Sequence, residues 1–221
     1  MPYTILIPIH NEESHIPALL NQIKPYTLKH EVILINDGST DKTYKLLLDC
    51  PFIKLLNFKK NQGKGMALRE GLKQTTNKKI IIIDGDLEIP LLSINRLMTL
   101  NQANKIRCIF GSRYDKIDLF NSPWDFGNFL FTKLFNFLHN SNHKDALCCA
   151  KAFYKEDINL KKLSAIGFDI DVEIASHLTK ELKIIHSVHL PYNRRNRKEG
   201  KKLRFGDAWC ILKRILKNSN F

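Results

Sequence analysis

Asp84, Asp86 and Glu88 stand at i, i+2 and i+4 directly behind Lys79-Ile80-Ile81-Ile82-Ile83. Three carboxylates this close repel one another unless something positive sits among them, and hard oxygen ligands suit Mg2+ or Mn2+. Ions of that kind typically clamp nucleotide phosphates; a solvated acidic turn is the competing reading of so short a motif. Asn61-Gln62-Gly63-Lys64-Gly65 is a second candidate. Glycines around a lysine at a helix start can hold a phosphate through backbone N–H groups and one ammonium, or can simply connect two elements.

The apolar pattern says what must hold these groups. Ile80 to Ile83 read as a strand buried on both faces, as in the middle of a parallel sheet. Gly85 lets the chain turn tightly behind it, and Pro90 blocks its continuation. Further strands are expected at 3–9, 31–36, 52–58, 108–112 and 183–190. Helices are expected near 14–23, 42–49, 63–73, 91–104, 126–138, 171–182 and 208–216, while 144–154 reads as irregular or extended. In the last helix Lys213, Arg214 and Lys217 are expected opposite Ile211, Leu212 and Ile215. This alternation indicates an α/β fold, a mostly parallel central sheet flanked by helices, with ligands bound beyond the carboxyl ends of the strands. Asn11, Glu12, Asp37, Lys64 and the Asp84–Glu88 group all fall there.

A chain of 221 residues, 43% hydrophobic, is long enough for one large domain with an ample core. Five cysteines, an odd number without C-x-x-C spacing, argue for reduced thiols in a cytoplasmic setting and against a zinc site. No apolar run approaches the ~20 residues that cross a bilayer, and no signal-peptide layout opens the chain, so a soluble or peripheral protein is expected. The net charge of +13 implies an anionic partner: nucleic acid, nucleotide phosphates or an acidic membrane surface. Between Arg194 and Arg204 seven of eleven residues are basic, which suits lipid headgroups or a substrate's phosphates. Phe120, Trp124, Phe126, Phe129, Phe131, Phe135 and Phe137 crowd into eighteen residues. Their helix has a broad apolar face that suits either core packing or docking at a membrane interface.

Taken in order, several segments carry a resemblance. They are Ile7-Pro8 with Asn11-Glu12, Ile35-Asn36-Asp37-Gly38-Ser39 with Asp41 and Thr43, Gly63-Lys64-Gly65, and Asp84-Gly85-Asp86-Leu87-Glu88. Gly111-Ser112-Arg113-Tyr114, Gly127-Asn128, the stretch from Asp145 to Phe153, and Gly167-Phe168-Asp169 with Asp171 and Glu173 extend the series, which closes with Pro191-Tyr192 and Arg197 before Gly200-Lys201-Lys202. The series resembles family 2 glycosyltransferases of GT-A fold, most of all the branch of dolichyl- or polyprenyl-phosphate mannosyl and glucosyl synthases. It implies one domain over 1–221, with a Rossmann-like nucleotide-sugar-binding half (1–113) and an acceptor- and membrane-facing half (114–221).

The resemblance further implies that Pro8, Asn11, Glu12, Asn36, Asp37 and Lys64 surround the donor. Asp84, Asp86 and Glu88 would hold Mg2+ or Mn2+ on its diphosphate, and Arg113, Arg195 and Arg197 would meet phosphates. The implied activity is inverting, metal-dependent transfer of a sugar to a polyprenyl-phosphate, by a cytoplasmic protein peripherally bound to an anionic membrane; nucleic acid is not an expected partner. Asp86, Arg113 and Asp171 are the implied catalytic residues. A phosphate acceptor is already anionic and needs no base. A glycan hydroxyl in cell-envelope polysaccharide synthesis, the alternative acceptor, needs one, and Asp171 or Asp169 would supply it; a helix-capping role is the other reading of these acids. Two other classes compete. A nucleotidyltransferase would place a glycine-rich basic loop after the first strand, where Ile9-His10-Asn11-Glu12-Glu13 stands. A non-catalytic basic adaptor would leave the clustered carboxylates unexplained.

Overall fold

The computed structural model describes residues 1–114, 123–195, 200, 202 and 205–219. Its strands are β1 (Tyr3–Ile9), β2 (Glu31–Asn36), β3 (Lys54–Asn57), β4 (Lys79–Ile82), β5 (Cys108–Ser112), β6 (Lys151–Tyr154) and β7 (His186–His189). The helices are α1 (Ile16–Ile23), α2 (Thr43–Leu48), α3 (Lys64–Lys73), α4 (Ile94–Leu97), α5 (Pro123–His139), α6 (Ile170–Glu181) and α7 (Phe205–Lys217). The strands form one sheet in the order β3-β2-β1-β4-β6-β5-β7. Every pairing is parallel except the two made by β6, which runs against both β4 and β5.

The isoleucine run is buried on both faces. Ile81 and Ile83 pack with Ile16, Leu19 and Ile23 of α1 on one side. Ile80 and Ile82 join Leu68 and Leu72 of α3 and Ile174 and Leu178 of α6 on the other. Full burial of each such side chain stabilises the fold by roughly 1.5–3 kcal/mol, so β4 is pinned where it meets β1. Strand order reverses around β1, with β2 and β3 to one side and β4 to the other. The crevice between the carboxyl ends of β1 and β4 is therefore the topological switch point, where open α/β sheets bind ligands.

Three expectations need correction. β4 has a parallel neighbour on one side only, because β6 is inserted between it and β5. That strand is hidden in the sequence by Lys151, which is buried with its ammonium on the Cys148 carbonyl and over the Phe110 ring at 5.1 Å. The helix expected over 91–104 is only a 3-10 turn at Leu91–Ser93 and the single turn α4. Its buried residues Leu91, Ile94, Leu97 and Leu100 recur every third position, which suits a tighter helix. The Asn101 side chain then accepts from the backbone N–H groups of Ala103 and Asn104, a local alternative to helical bonding. Arg214 does not face solvent from α7 but turns inward to Asp169 and Glu173, at 2.8 and 2.6 Å.

Candidate active site

A cavity of about 1220 Å³ opens at the switch point. Pro8, Asn11 and Glu12 border it from the end of β1, and Asp84, Asp86 and Glu88 from the end of β4. Asp37, Lys64, Arg113, Asp171 and Arg195 also reach it. Of the other expected site residues, Asn36 lies behind the wall, buried, donating to Asn57 Oδ1 at 2.7 Å. Arg197 is outside the described residues.

The donor-side loops are tied to each other. Asn11, at a positive φ of 50°, accepts from Thr40 N at 2.7 Å through its side chain and donates its own N–H to Ser39 Oγ at 2.9 Å. Asp37 accepts from the backbone N–H groups of Gln62 and Gly63, at 2.7 and 2.9 Å. Both its oxygens are engaged in holding the loop ahead of α3. Beyond Lys64, the N–H groups of Gly65 and Met66 donate to the Ile166 carbonyl at 2.6 and 3.3 Å. A Cβ on Gly65 would stand 2.4 Å from the Ala165 oxygen, so only glycine admits this contact. Within Gly63-Lys64-Gly65 the N–H groups of both glycines are thus spent inside the protein rather than turned to a ligand.

Lys64 instead bridges two carboxylates. Its ammonium lies 2.8 Å from Asp84 and 2.7 Å from Asp171, with side chains 8% and 11% exposed at Lys64 and Asp171. Burial opposes the charge on Lys64, but Asp171 and Asp84 outweigh it and hold the amine well above its ordinary pKa. Burial raises the Asp171 carboxyl, against the pull of Lys64 and with the push of Asp84. This triad joins α3, the end of β4 and the first turn of α6.

Across the crevice a second set of charges forms. Arg195 Nη1 and Nη2 lie 2.8 and 3.2 Å from the buried Glu12 carboxylate, which also meets His15 at 2.9 Å and Lys202. Arg195 Nη2 is 3.3 Å from Asp86. Glu88 accepts from Tyr192 Oη at 2.9 Å and from Arg195 N at 3.0 Å. Asp84, Asp86 and Glu88 are therefore not drawn into one ligand set, and among the described residues no three His, Cys, Asp or Glu side chains gather as metal ligands. Different cations hold them: Lys64 holds Asp84, while Arg195 holds Asp86 and Glu88. Burial, reinforced by Glu88 and opposed by Arg195, raises the Asp86 carboxyl. The strained residue of this turn is Leu87, at φ 59°. Gly85 serves close packing instead, since a Cβ there would meet Ile9 Cγ1 at 2.8 Å.

Arg113 is committed as well. Its Nε and Nη2 donate to Asp145 at 2.8 and 2.9 Å, and its guanidinium lies 5.6 Å from the ring centres of both Tyr114 and Tyr192. Asp145 and Tyr192 sit in segments that carried the family resemblance, yet nothing local marked either as a partner of Arg113. Arg194 and Lys202, expected on a lipid- or phosphate-facing stretch, also point inward, to Asp125 and Glu12.

Residues 4–160 match the sequence profile of glycosyl transferase family 2. The chain belongs to this family. A bactoprenol glucosyl transferase of Shigella phage SfX is 36% identical over 113 residues, which are 47% of this chain and 36% of that protein. A dolichyl-phosphate beta-glucosyltransferase of Dictyostelium discoideum is 28% identical over 133 residues, 52% of this chain and 41% of that protein. The chain thus matches only about 36–41% of the length of these two relatives. Among solved structures, glucosyl-3-phosphoglycerate synthase from Mycobacterium tuberculosis, in complex with Mn2+, UDP and glucosyl-3-phosphoglycerate, superposes with a TM-score of 0.77 at 18% identity. That superposition covers 100% of this chain and 80% of the other, and it establishes the GT-A fold. The family 2 match ends at residue 160, so α6 and α7 lie beyond it.

Proposed function

We propose that this family 2 chain transfers a sugar, with inversion, from a nucleotide-sugar to a polyprenyl-phosphate at the cytoplasmic face of a membrane. The crevice carries this reading: its floor is acidic at the ends of β1 and β4, and its far wall brings Trp124 and Tyr192 from the second half beside Arg113 at the end of the first. The two relatives named for bactoprenol and dolichyl phosphate support the acceptor class. The neighbour solved with Mn2+ and UDP supports a divalent cation and a nucleotide donor.

Asp84 and Asp86 fit such a cation. Both offer hard oxygens on the crevice, where the Lys64 ammonium 2.8 Å from Asp84 and the Arg195 guanidinium 3.3 Å from Asp86 already mark positions of positive charge. There they would hold Mg2+ or Mn2+, which would supply Lewis-acid neutralisation of the departing diphosphate. Lys64 holds Asp84 and Asp171 in place, Asp37 and Asn11 fix the loops beside the nucleotide, and the Arg113 pair with Asp145 sets the Tyr114 and Tyr192 rings at the acceptor side.

The acceptor class is testable through Asp171. With a phosphate acceptor, Asp171→Asn keeps most of its rate, the amide oxygen still accepting from Lys64. A hydroxyl acceptor that relies on Asp171 as base loses about 100-fold. The companion assay supplies radiolabelled sugar nucleotide with a short polyprenyl-phosphate and extracts into organic solvent. Label confined to the aqueous phase across all common donors, with a soluble glycan labelled instead, overturns the lipid reading.

Two exposed stripes support membrane docking. Among the described residues no helix is long and apolar enough to cross a bilayer. In α5, Phe135 is core, but Phe126, Leu130 and Phe137 are exposed on the same stripe as Lys133. In α7, Trp209 and Leu216 are exposed on the stripe of Lys213. Phe137 and Trp209 are 76% and 60% exposed, too much apolar surface to read as core. Lysines within apolar stripes suit the headgroup level, each adding about 1 kcal/mol near an anionic surface. The protein is expected to sediment with phosphatidylglycerol vesicles and to be released by salt; Phe137→Ser with Trp209→Ser should weaken binding about tenfold. Equal binding to neutral vesicles, or none to either, counts against this docking.

A further inference from the structure

Arg195 sits where a cation of the donor site would act. Its guanidinium touches carboxylates from two strand ends: Glu12, behind β1, at 2.8 and 3.2 Å, and Asp86, behind β4, at 3.3 Å. Its Nε stands 4.0 Å from Glu88. Glu12 is 4% and Arg195 11% exposed, so these charges need compensation within the protein rather than from solvent.

We propose that Arg195 is the built-in counter-ion of the donor site, neutralising Glu12 and Asp86 until a divalent cation with its nucleotide diphosphate displaces it. The inference rests on the metal reading above and adds a competitor to it. Two positive groups in one carboxylate cage repel, so metal and guanidinium cannot both sit against Asp86 at full strength. The backbone is arranged for the side chain alone to leave. Arg195 N donates to Glu88 Oε1 at 3.0 Å and Asn193 N to the Glu88 carbonyl at 2.8 Å, which anchors the segment while the guanidinium swings. Glu12 keeps His15 and Lys202 after the exchange. A released guanidinium, planar and with forked donors, is then suited to a phosphate of donor or acceptor. Loading the donor would thereby arm the site for the next phosphate.

The test is Mn2+ binding followed by electron paramagnetic resonance, without turnover, on the wild type, Arg195→Gln and Arg195→Lys. Removing the guanidinium should tighten Mn2+ about tenfold or more in the absence of nucleotide, a coupling of ordinary size. Arg195→Lys, which keeps the charge, should stay within about threefold of the wild type. Thermal melts check folding, and Arg195→Met supplies the same loss of charge should the glutamine variant not fold. Equal or weaker Mn2+ binding in the neutral variants overturns the inference while leaving the metal reading in place. Absence of Mn2+ binding in every variant, with or without UDP or GDP, overturns both.

Discussion

Asp86→Asn is expected to lower sugar transfer by about 1,000-fold, because on the proposed reading it removes a charged ligand from the cation that would neutralise the leaving diphosphate. The fold should survive. Asp86 accepts from Glu88 N at 3.0 Å, a bond an asparagine oxygen can keep, and otherwise meets Arg195. Burial and Glu88 raise its pKa, so the folded protein holds this proton more tightly than the unfolded chain does. Ionising such an acid destabilises: the cost begins above the unfolded value of about 3.9 and is complete above the raised folded value. Asparagine escapes that cost. The variant should therefore melt at or above the wild-type temperature at pH 7.5, with the advantage fading towards pH 4. Turnover of radiolabelled donor and melts at both pH values are the measurements. Wild-type turnover in the variant, or full wild-type activity in excess chelator, would remove Asp86 from the metal site.

Lys64→Met should cost about 3 kcal/mol of folding stability and abolish transfer with it, since it leaves the buried Asp171 carboxylate facing the half-buried Asp84 without a cation. Asp84 and Asp171 approach the same ammonium at 2.8 and 2.7 Å, from β4 and α6 respectively. Burial already raises the Asp171 carboxyl with Lys64 present, and losing the lysine raises it further. By the same sign rule the deficit is largest at neutral pH and shrinks as acid protonates Asp171. Denaturant titrations at pH 7.5 and pH 5 read both quantities. Combining Lys64→Met with Asp171→Asn should recover part of the loss, because only one carboxylate then remains unpaired. A deficit under about 1 kcal/mol, the worth of an exposed ion pair, would show that the triad carries no such weight.

Family 2 membership and the crevice together explain why the acidic groups sit at strand ends, yet the partners of those groups come from far along the chain. Lys64 reaches Asp171 across 107 positions, and Arg195 reaches Glu12 across 183. These contacts make Lys64 and Arg195, both expected beside phosphates, counter-ions of the protein's own carboxylates.

What the sequence by itself determined was local. β2 and β5 run over 31–36 and 108–112 as the apolar pattern predicts, and the isoleucine strand is buried on both faces as its composition demands. The placing of Asn11, Asp37 and Asp84 beyond strand ends follows too, because strand periodicity and the turn residues that stop it are encoded within a few positions. The tertiary structure alone decided the insertion of β6 beside β4, since a strand's neighbour depends on which edge the chain returns to and a buried Lys151 masks the apolar signal. It alone divided α5 between the core at Phe135 and the surface at Phe137, because two residues along a helix turn a side chain about 200° away, and only packing decides which side is covered. It alone paired Arg113 with Asp145 and Arg195 with Glu12. A residue type states the charge it brings, but Coulomb attraction acts through space, and the field each charge meets exists only once distant segments have packed together.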